Sequence, residues 1–270
     1  MANRSNKRRS SSTVRALFIT ALIVLGLILL LIYLKRQNQT TTPEVVGFNY
    51  LPSVHNGSLV QHQHYSLSYV EEHEQAEWVA YELTEAEVRS NIADRTDDFR
   101  EDPLVSTGSA SLTDYRRSGY DRGHLAPAGD MGFSEVAMSE SFYLSNMSPQ
   151  DRAFNRGVWK DLEEDVRTWA VASGSLYVVT GPIFGSDPKR IGENGVSVPD
   201  YYYKVLLDYQ KPEIKAIGFL LPNESTSESP QAFVETIDNV EAYTGIDFFP
   251  ELPDELETEL ESSANAGDWF

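Results

Sequence analysis

The chain has 270 residues, no cysteine, 41% apolar content and a formal net charge of −19 at pH 7. A core of that size needs no covalent staples, so the disulfide-framework classes are excluded. The acidic balance excludes an anionic partner held by overall charge, so any anionic ligand must meet a local basic patch.

Residues 1–15 carry Arg4, Lys7, Arg8, Arg9 and Arg15 and no acid. The next segment, 16–34, reads ALFITALIVLGLILLLIYL and has no charge. As a helix it spans about 28 Å, close to the hydrocarbon thickness of a bilayer. Only Lys35 and Arg36 follow it, so the heavier positive side stays in the cytoplasm and the remainder crosses the membrane. A cleavable signal peptide has a shorter apolar region ending at small residues, whereas this run ends in IYLKRQNQ. The expectation is therefore an uncleaved transmembrane signal-anchor. A bacterial membrane with the domain on its periplasmic side is preferred. The Arg- and Ser-rich start keeps an organelle membrane, such as the mitochondrial inner membrane, as the alternative.

Residues 35–46 read as a polar stem, 47–255 as one domain, and 256–270 as an acidic tail without Lys or Arg, expected to be loosely ordered. The first 36 residues hold seven of the 22 bases and none of the 41 acids, so residues 37–270 carry 15 bases against 41 acids.

Within the domain, YSLSYV (65–70) and WVAYELT (78–84) alternate as strands, with EEHEQAE between them. EAEVRSNI is a short helix or turn, and RTDDFREDPLVSTGSA is loop. The segment 134–150 mixes a short helix with a short strand. DRAFNRGVWKDLEEDVRTWAVA (151–172) is the strongest helix, with Phe154, Val158, Leu162, Val166 and Trp169 forming an apolar stripe. Segments 175–184, 201–209 and 213–222 are strands, and 230–245 is a helix closed by Gly245. The sum is an α+β domain, a mostly antiparallel sheet flanked by helices.

Three features carry chemistry. His124 sits in DRGHLAPAGDM behind Arg122 and Gly123; held neutral it can take a proton from water, or it can simply bond a loop backbone. Asn155, near the start of the long helix, is a helix cap or a neutral oxygen ligand for a hard cation. Glu163 lies eight residues on, about 80° further round a continuous helix, either as a surface charge or as a group able to reach metal-bound water. Nine bases fall between Arg89 and Lys160, including Arg95, Arg100, Arg122, Arg152 and Arg156. They form a patch only if folding separates them from nearby acids; otherwise they are scattered ion pairs. A base, an oxygen ligand and arginines at one cleft are what phosphodiester hydrolysis requires. His62, His64 and His73 read as surface residues, Trp159 and Trp169 as core, and Tyr201 to Tyr203 as alternating strand positions.

DRGHLAP joined to NMSPQ-x4-N-x3-W-x2-LE resembles the DNA/RNA non-specific endonuclease family, and the likeness extends over about residues 60–255. The resemblance implies a ββα-metal finger core within the α+β domain. It implies His124 as general base, Asn155 as the direct protein ligand of Mg2+ (Mn2+ possible in its place), and Arg122 at the phosphate or transition state. Glu163 would hold metal-bound water. Asn146 and Gln150 match helper positions near the metal, and Arg156 joins them as a residue that orients substrate or its neighbours. An upstream arginine, Arg95 or alternatively Arg100, would serve the leaving-group side. The implied substrates are DNA and RNA, cut with little base reading to 5′-phosphate and 3′-hydroxyl ends, by an enzyme whose other partner is the lipid bilayer. The competing reading is a membrane-tethered scaffold that keeps the fold without catalysis.

Overall fold

Period-two alternation builds most of the domain into one large sheet. The computed structural model describes residues 48–52 and 56–270, so the basic segment, the apolar run 16–34 and the stem 35–46 lie outside the described residues. The anchor expectation therefore falls outside them too. Among the described residues no helix is long and apolar enough to cross a membrane.

The chain enters through β1 (Ser58–Gln61), β2 (Ser66–Val70) and β3 (Gln75–Thr84), then α1 (Glu85–Arg89), whose Thr84 and Glu87 form a capping box. A long irregular stretch containing α2 (Leu112–Tyr115) leads to β4 (Asp121–His124), α3 (Glu135–Glu140) and β5 (Met147–Gln150). Helices α4 (Arg152–Arg156) and α5 (Val158–Ser173) precede β6 (Ser175–Ile183), the two-residue strands β7 (Arg190–Ile191) and β8 (Val196–Ser197), β9 (Tyr201–Asp208) and β10 (Lys215–Pro222). The chain closes with β11 (Val234–Glu235), α6 (Ile237–Thr244) and α7 (Asp254–Glu261).

The large sheet runs β1-β2-β3-β6-β9-β10-β11, and every pairing in it is antiparallel. Strand alternation sends Tyr202 and Tyr203 to opposite faces. Tyr202 stacks on Phe154 and meets Trp159, so its face is covered by α4 and α5. Tyr203 meets Phe248 of the C-terminal segment. The helical stripe is buried as its spacing requires, from Phe154 through Trp169.

Four expectations need correction. The long helix is two helices, because Gly157 leaves helical geometry (φ −110°, ψ −117°). A Cβ at Gly157 would also stand 2.7 Å from the Ala153 carbonyl oxygen. Segment 230–245 begins as a 3-10 turn and β11, and only 237–244 is α-helix. The acidic tail is not loose: it forms most of α7, and Trp269 packs edge-on against Trp169 with ring centroids 5.2 Å apart. Leu260 and Trp269, both buried, outweigh its charge repulsion. His62, finally, is no surface residue. Its ring lies between Tyr65 and Tyr143, and its Nε2 contacts Asp102 at 2.9 Å.

Candidate active site

DRGH is a strand. β4 pairs with β5, His124 opposite Met147 and Gly123 opposite Ser148, and α4 begins two residues after β5 ends. Strand, strand and helix thus form a small ββα unit. It is fastened to the large sheet through Ser148, whose hydroxyl contacts Tyr202 Oη at 2.6 Å and donates to Gln75. Asn223, just past the end of β10, ties the β5–α4 junction by donating to the Pro149 carbonyl and accepting from the Asp151 amide.

Past His124 the chain turns sharply, and Asn146 shapes that turn. Its amide accepts from Ala126 N and donates to the carbonyls of Ala126 and Ser141, all within 2.9 Å. Asn146 is wholly buried and spends its side chain on the backbone behind His124, not on the cleft. Gln150 is also wholly buried, yet both atoms of its amide lack a partner. It occupies the space in which a side chain at Gly123 would lie, since a Cβ there would collide with Gln150 Cγ, Cδ and Oε1. Gly123→Ala is therefore expected to lower stability by about 2 kcal/mol through overpacking. Thermal unfolding checks this, and adding Gln150→Ala should recover most of the loss.

His124 is 9% exposed, with Phe142 edge-on to its ring at 5.0 Å and Phe99 tilted at 5.9 Å. Its Nε2 is buried without a partner. Burial, reinforced by the charges of Arg95 and Arg122, brings the imidazole down to about 3, so it is neutral near pH 7. Those two guanidiniums lie over the same aromatic pair, Arg122 3.9 Å from the Phe99 ring centre and Arg95 4.9 Å from that of Phe142.

A cleft of roughly 700 Å³ opens beside Phe99, whose ring also meets His124; His124 itself is buried and does not line it. Arg95, Arg116, Arg122, Arg152 and Arg156 line it against only two carboxylates, Asp97 and Asp121. Bases outnumber acids here, although Arg95 pairs with Asp97 and both Arg152 and Arg156 with Asp121, while Arg89, Arg100 and Lys160 sit in ion pairs elsewhere. Asn155 lines the same cleft. It does not cap α4: Asp151 does, accepting from the amides of Ala153 and Phe154. Arg100 is held away, donating to Asp98 and to the Ser139 carbonyl with its guanidinium over Tyr143.

Asp121 is the residue that sequence reasoning passed over. Residues 152, 155 and 156 share one face of α4, and all three converge on its carboxylate. Arg156 Nε stands 2.9 Å away, Arg152 Nε 3.4 Å and Asn155 Nδ2 3.4 Å. Burial raises this carboxyl, but the Arg156 and Asn155 hydrogen bonds and the two arginine charges outweigh it, leaving it below the ordinary value. The signal was present: an acid opening DRGH, opposite a helix with R-x-x-N-R spacing.

Glu163 belongs to α5, beyond the Gly157 break, so the continuous-helix geometry expected for it does not hold. It lies behind the cleft wall among Lys204, Asp130, Arg167 and Arg95, and burial raises its carboxyl well above the ordinary value. Lys204 is itself 1% exposed; its Nζ donates to Thr180 at 2.7 Å and lies 4.8 Å from the Trp159 ring centre. Arg167 and Tyr81 both donate to Asp130. A lysine in the middle of YYYKVLLDY was the visible anomaly that could have pointed to this buried set.

Among the described residues no cluster of three His, Asp or Glu gathers at this cleft, so a cation there would keep most of its waters. The residues fit such an ion. Asn155 offers a neutral oxygen beside the ionised Asp121, and the unpartnered amide of Gln150 lies on the strand that pairs with β4.

A family model for DNA/RNA non-specific endonucleases matches residues 48–255. Nuclease C1 of Cunninghamella echinulata var. echinulata is 37% identical over 209 residues, covering 72% of this chain and 83% of that protein. Human mitochondrial endonuclease G is 35% identical over 208 residues, covering 72% and 70%. A solved structure of the EndoG/EndoGI complex superposes with a TM-score of 0.71 at 32% identity, covering 79% of this chain and 95% of the matched one. Extensive identity and a shared fold agree with the cleft's chemistry: this chain belongs to the DNA/RNA non-specific endonuclease family and is a nuclease.

Proposed function

We propose that the chain is a membrane-anchored, Mg2+-dependent nuclease that hydrolyses the phosphodiester bonds of DNA and RNA to 5′-phosphate and 3′-hydroxyl ends. The observation that carries this reading is the neutral His124, its Nε2 buried without a partner, packed against Phe99 in the wall of a cleft that Arg122, Arg95 and Asn155 also line.

His124 takes the proton of the attacking water. Arg122 meets the phosphate oxygens with the forked geometry that suits them, and charge developing there is stabilised in a site fixed beforehand. Arg95 serves the leaving-group side; it lines the cleft, with its Nε on Asp97, whereas Arg100 does not line it and donates to Asp98 and Ser139. Asn155 would hold Mg2+, with Mn2+ as a substitute, and Glu163 would orient water bound to it. The metal supplies charge neutralisation at the phosphate and the leaving oxygen. Arg156 and Arg152, held by Asp121, present positive charge to the strand. Phosphate contacts of this kind position nucleic acid without reading sequence. Asn146 and Gln150 set the backbone and packing behind the base.

The apolar run 16–34 and its flanking charges support a single-pass anchor with the nuclease domain outside the cytoplasm. A mitochondrial inner-membrane location is the alternative. The scaffold reading has no observation in its favour.

In the test, the full chain in detergent degrades plasmid and RNA with Mg2+, and EDTA stops it. The rate falls steeply as salt rises, because five cleft arginines must overcome a charge of −19. Carbonate extraction leaves the protein in the membrane pellet. Metal-indifferent cleavage would overturn the chemistry, and release by carbonate would overturn the anchor.

A further inference from the structure

Far from the cleft, three carboxylates from two helices converge. Asp238 and Glu241 stand one turn apart on α6, and Glu261 ends α7; an oxygen of each lies within 4.8 Å of the others. Glu261 is 7% exposed, and its Oε1 is buried with no hydrogen-bond partner. Glu241 is fixed in place by accepting the Phe248 amide at 2.8 Å.

Among the described residues none of these three carboxylates forms an ion pair. After Lys215 the sequence contains thirteen acids and no base. Lys215 itself is engaged at the Asp268 carbonyl and over the Trp269 ring. Burial, then the negative charges of Glu241, Glu257, Asp238 and Asp247, push the Glu261 carboxyl up to about 8. A buried carboxylate oxygen left unpaired among like charges is costly unless a cation or a proton joins it.

We propose that Asp238, Glu241 and Glu261 form a structural Ca2+ site that clasps α7 to α6. Three carboxylates are hard oxygen donors. Ca2+, which takes about six to eight such oxygens in a flexible shell at about 2.3–2.6 Å, suits a set drawn from two helices better than Mg2+. Mg2+ demands a near-ideal octahedron and keeps its waters. Two helices joined by a nine-residue connection (245–253) are thereby locked at the point where the chain departs toward Trp269.

The experiment uses the full chain carrying Asn155→Ala, which removes the proposed cation ligand of the cleft. Calorimetric titration with CaCl2 should give one site per chain. Calcium at about a hundred times its Kd should raise Tm by roughly 5–10 °C. Both effects should vanish with Glu261→Gln and with Asp238→Asn; the latter lies at an exposed position and keeps the test decisive if the buried variant does not fold. Without calcium, Glu261→Gln should melt higher than its parent. An absence of Ca2+ binding in the Asn155→Ala chain, or an equal Tm gain in the Asp238→Asn variant, overturns the site and leaves a protonated Glu261 as what fills it.

Discussion

His124→Ala lowers the rate of plasmid cleavage near neutral pH by about 10³-fold, the size of a positioned general base, while making the fold more tolerant of acid. Single-turnover cleavage and acid melting of the same variant check both halves. The acid effect follows from linkage. The folded imidazole titrates at about 3 against an ordinary value of 6.5, so the unfolded chain binds the extra proton between those values. His124 therefore contributes stability that is complete above about pH 6.5 and is lost as pH falls toward 3. Its full size is on the order of 4–5 kcal/mol, and the alanine variant should lack it.

The cause of that low value also shapes the kinetics. Besides burial, the charges that hold His124 down are Arg95 and Arg122, the groups assigned to the phosphate. A bound phosphodiester cancels part of their charge, which makes the imidazole more basic when substrate is in place. The acid limb of kcat, which reports the complex, should then lie at higher pH than the limb of kcat/KM, which reports the free enzyme. Coincident limbs would count against this coupling.

Asn155→Ala is expected to lower activity on the order of 10²-fold at fixed Mg2+ and to raise the Mg2+ concentration needed for half-maximal rate. Asp121→Asn should give a smaller loss of the same kind. It keeps the shape of the acceptor but removes the charge that gathers Arg152, Arg156 and Asn155. A metal titration of cleavage rate separates the two: Asn155→Ala shifts the midpoint most, and Asp121→Asn alters chiefly the salt dependence. An unshifted midpoint in Asn155→Ala would remove that residue from the metal.

The strands and the α5 stripe were legible in the sequence because burial on one face imposes a period, and a period can be counted. DRGH was harder, since four residues with mixed polarity carry no period; its strand character comes from pairing with MSPQ twenty-odd positions away. Gly157 hid for a different reason. The apolar stripe continues in register across it, so the pattern 154, 158, 162 looks like one helix although the backbone breaks. Asn155 was named from its motif, but Asp121 was not, because its three partners meet only once α4 lies over β4. The tail misled through composition: charge suggested looseness, while Trp269 and Leu260, both buried, decided the outcome.

The set behind the cleft has a consequence for how such a chain can change. Asp130 and Glu163 face Lys204 and Arg167, two acids against two bases, all removed from bulk water to a large degree. Deleting one member leaves a lone charge inside, at a cost of about 3–5 kcal/mol, a large part of the stability of an ordinary domain. Removing an opposite pair together leaves none. Lineages should therefore alter these four positions in compensating steps, and a library selected for folding should recover them as linked pairs.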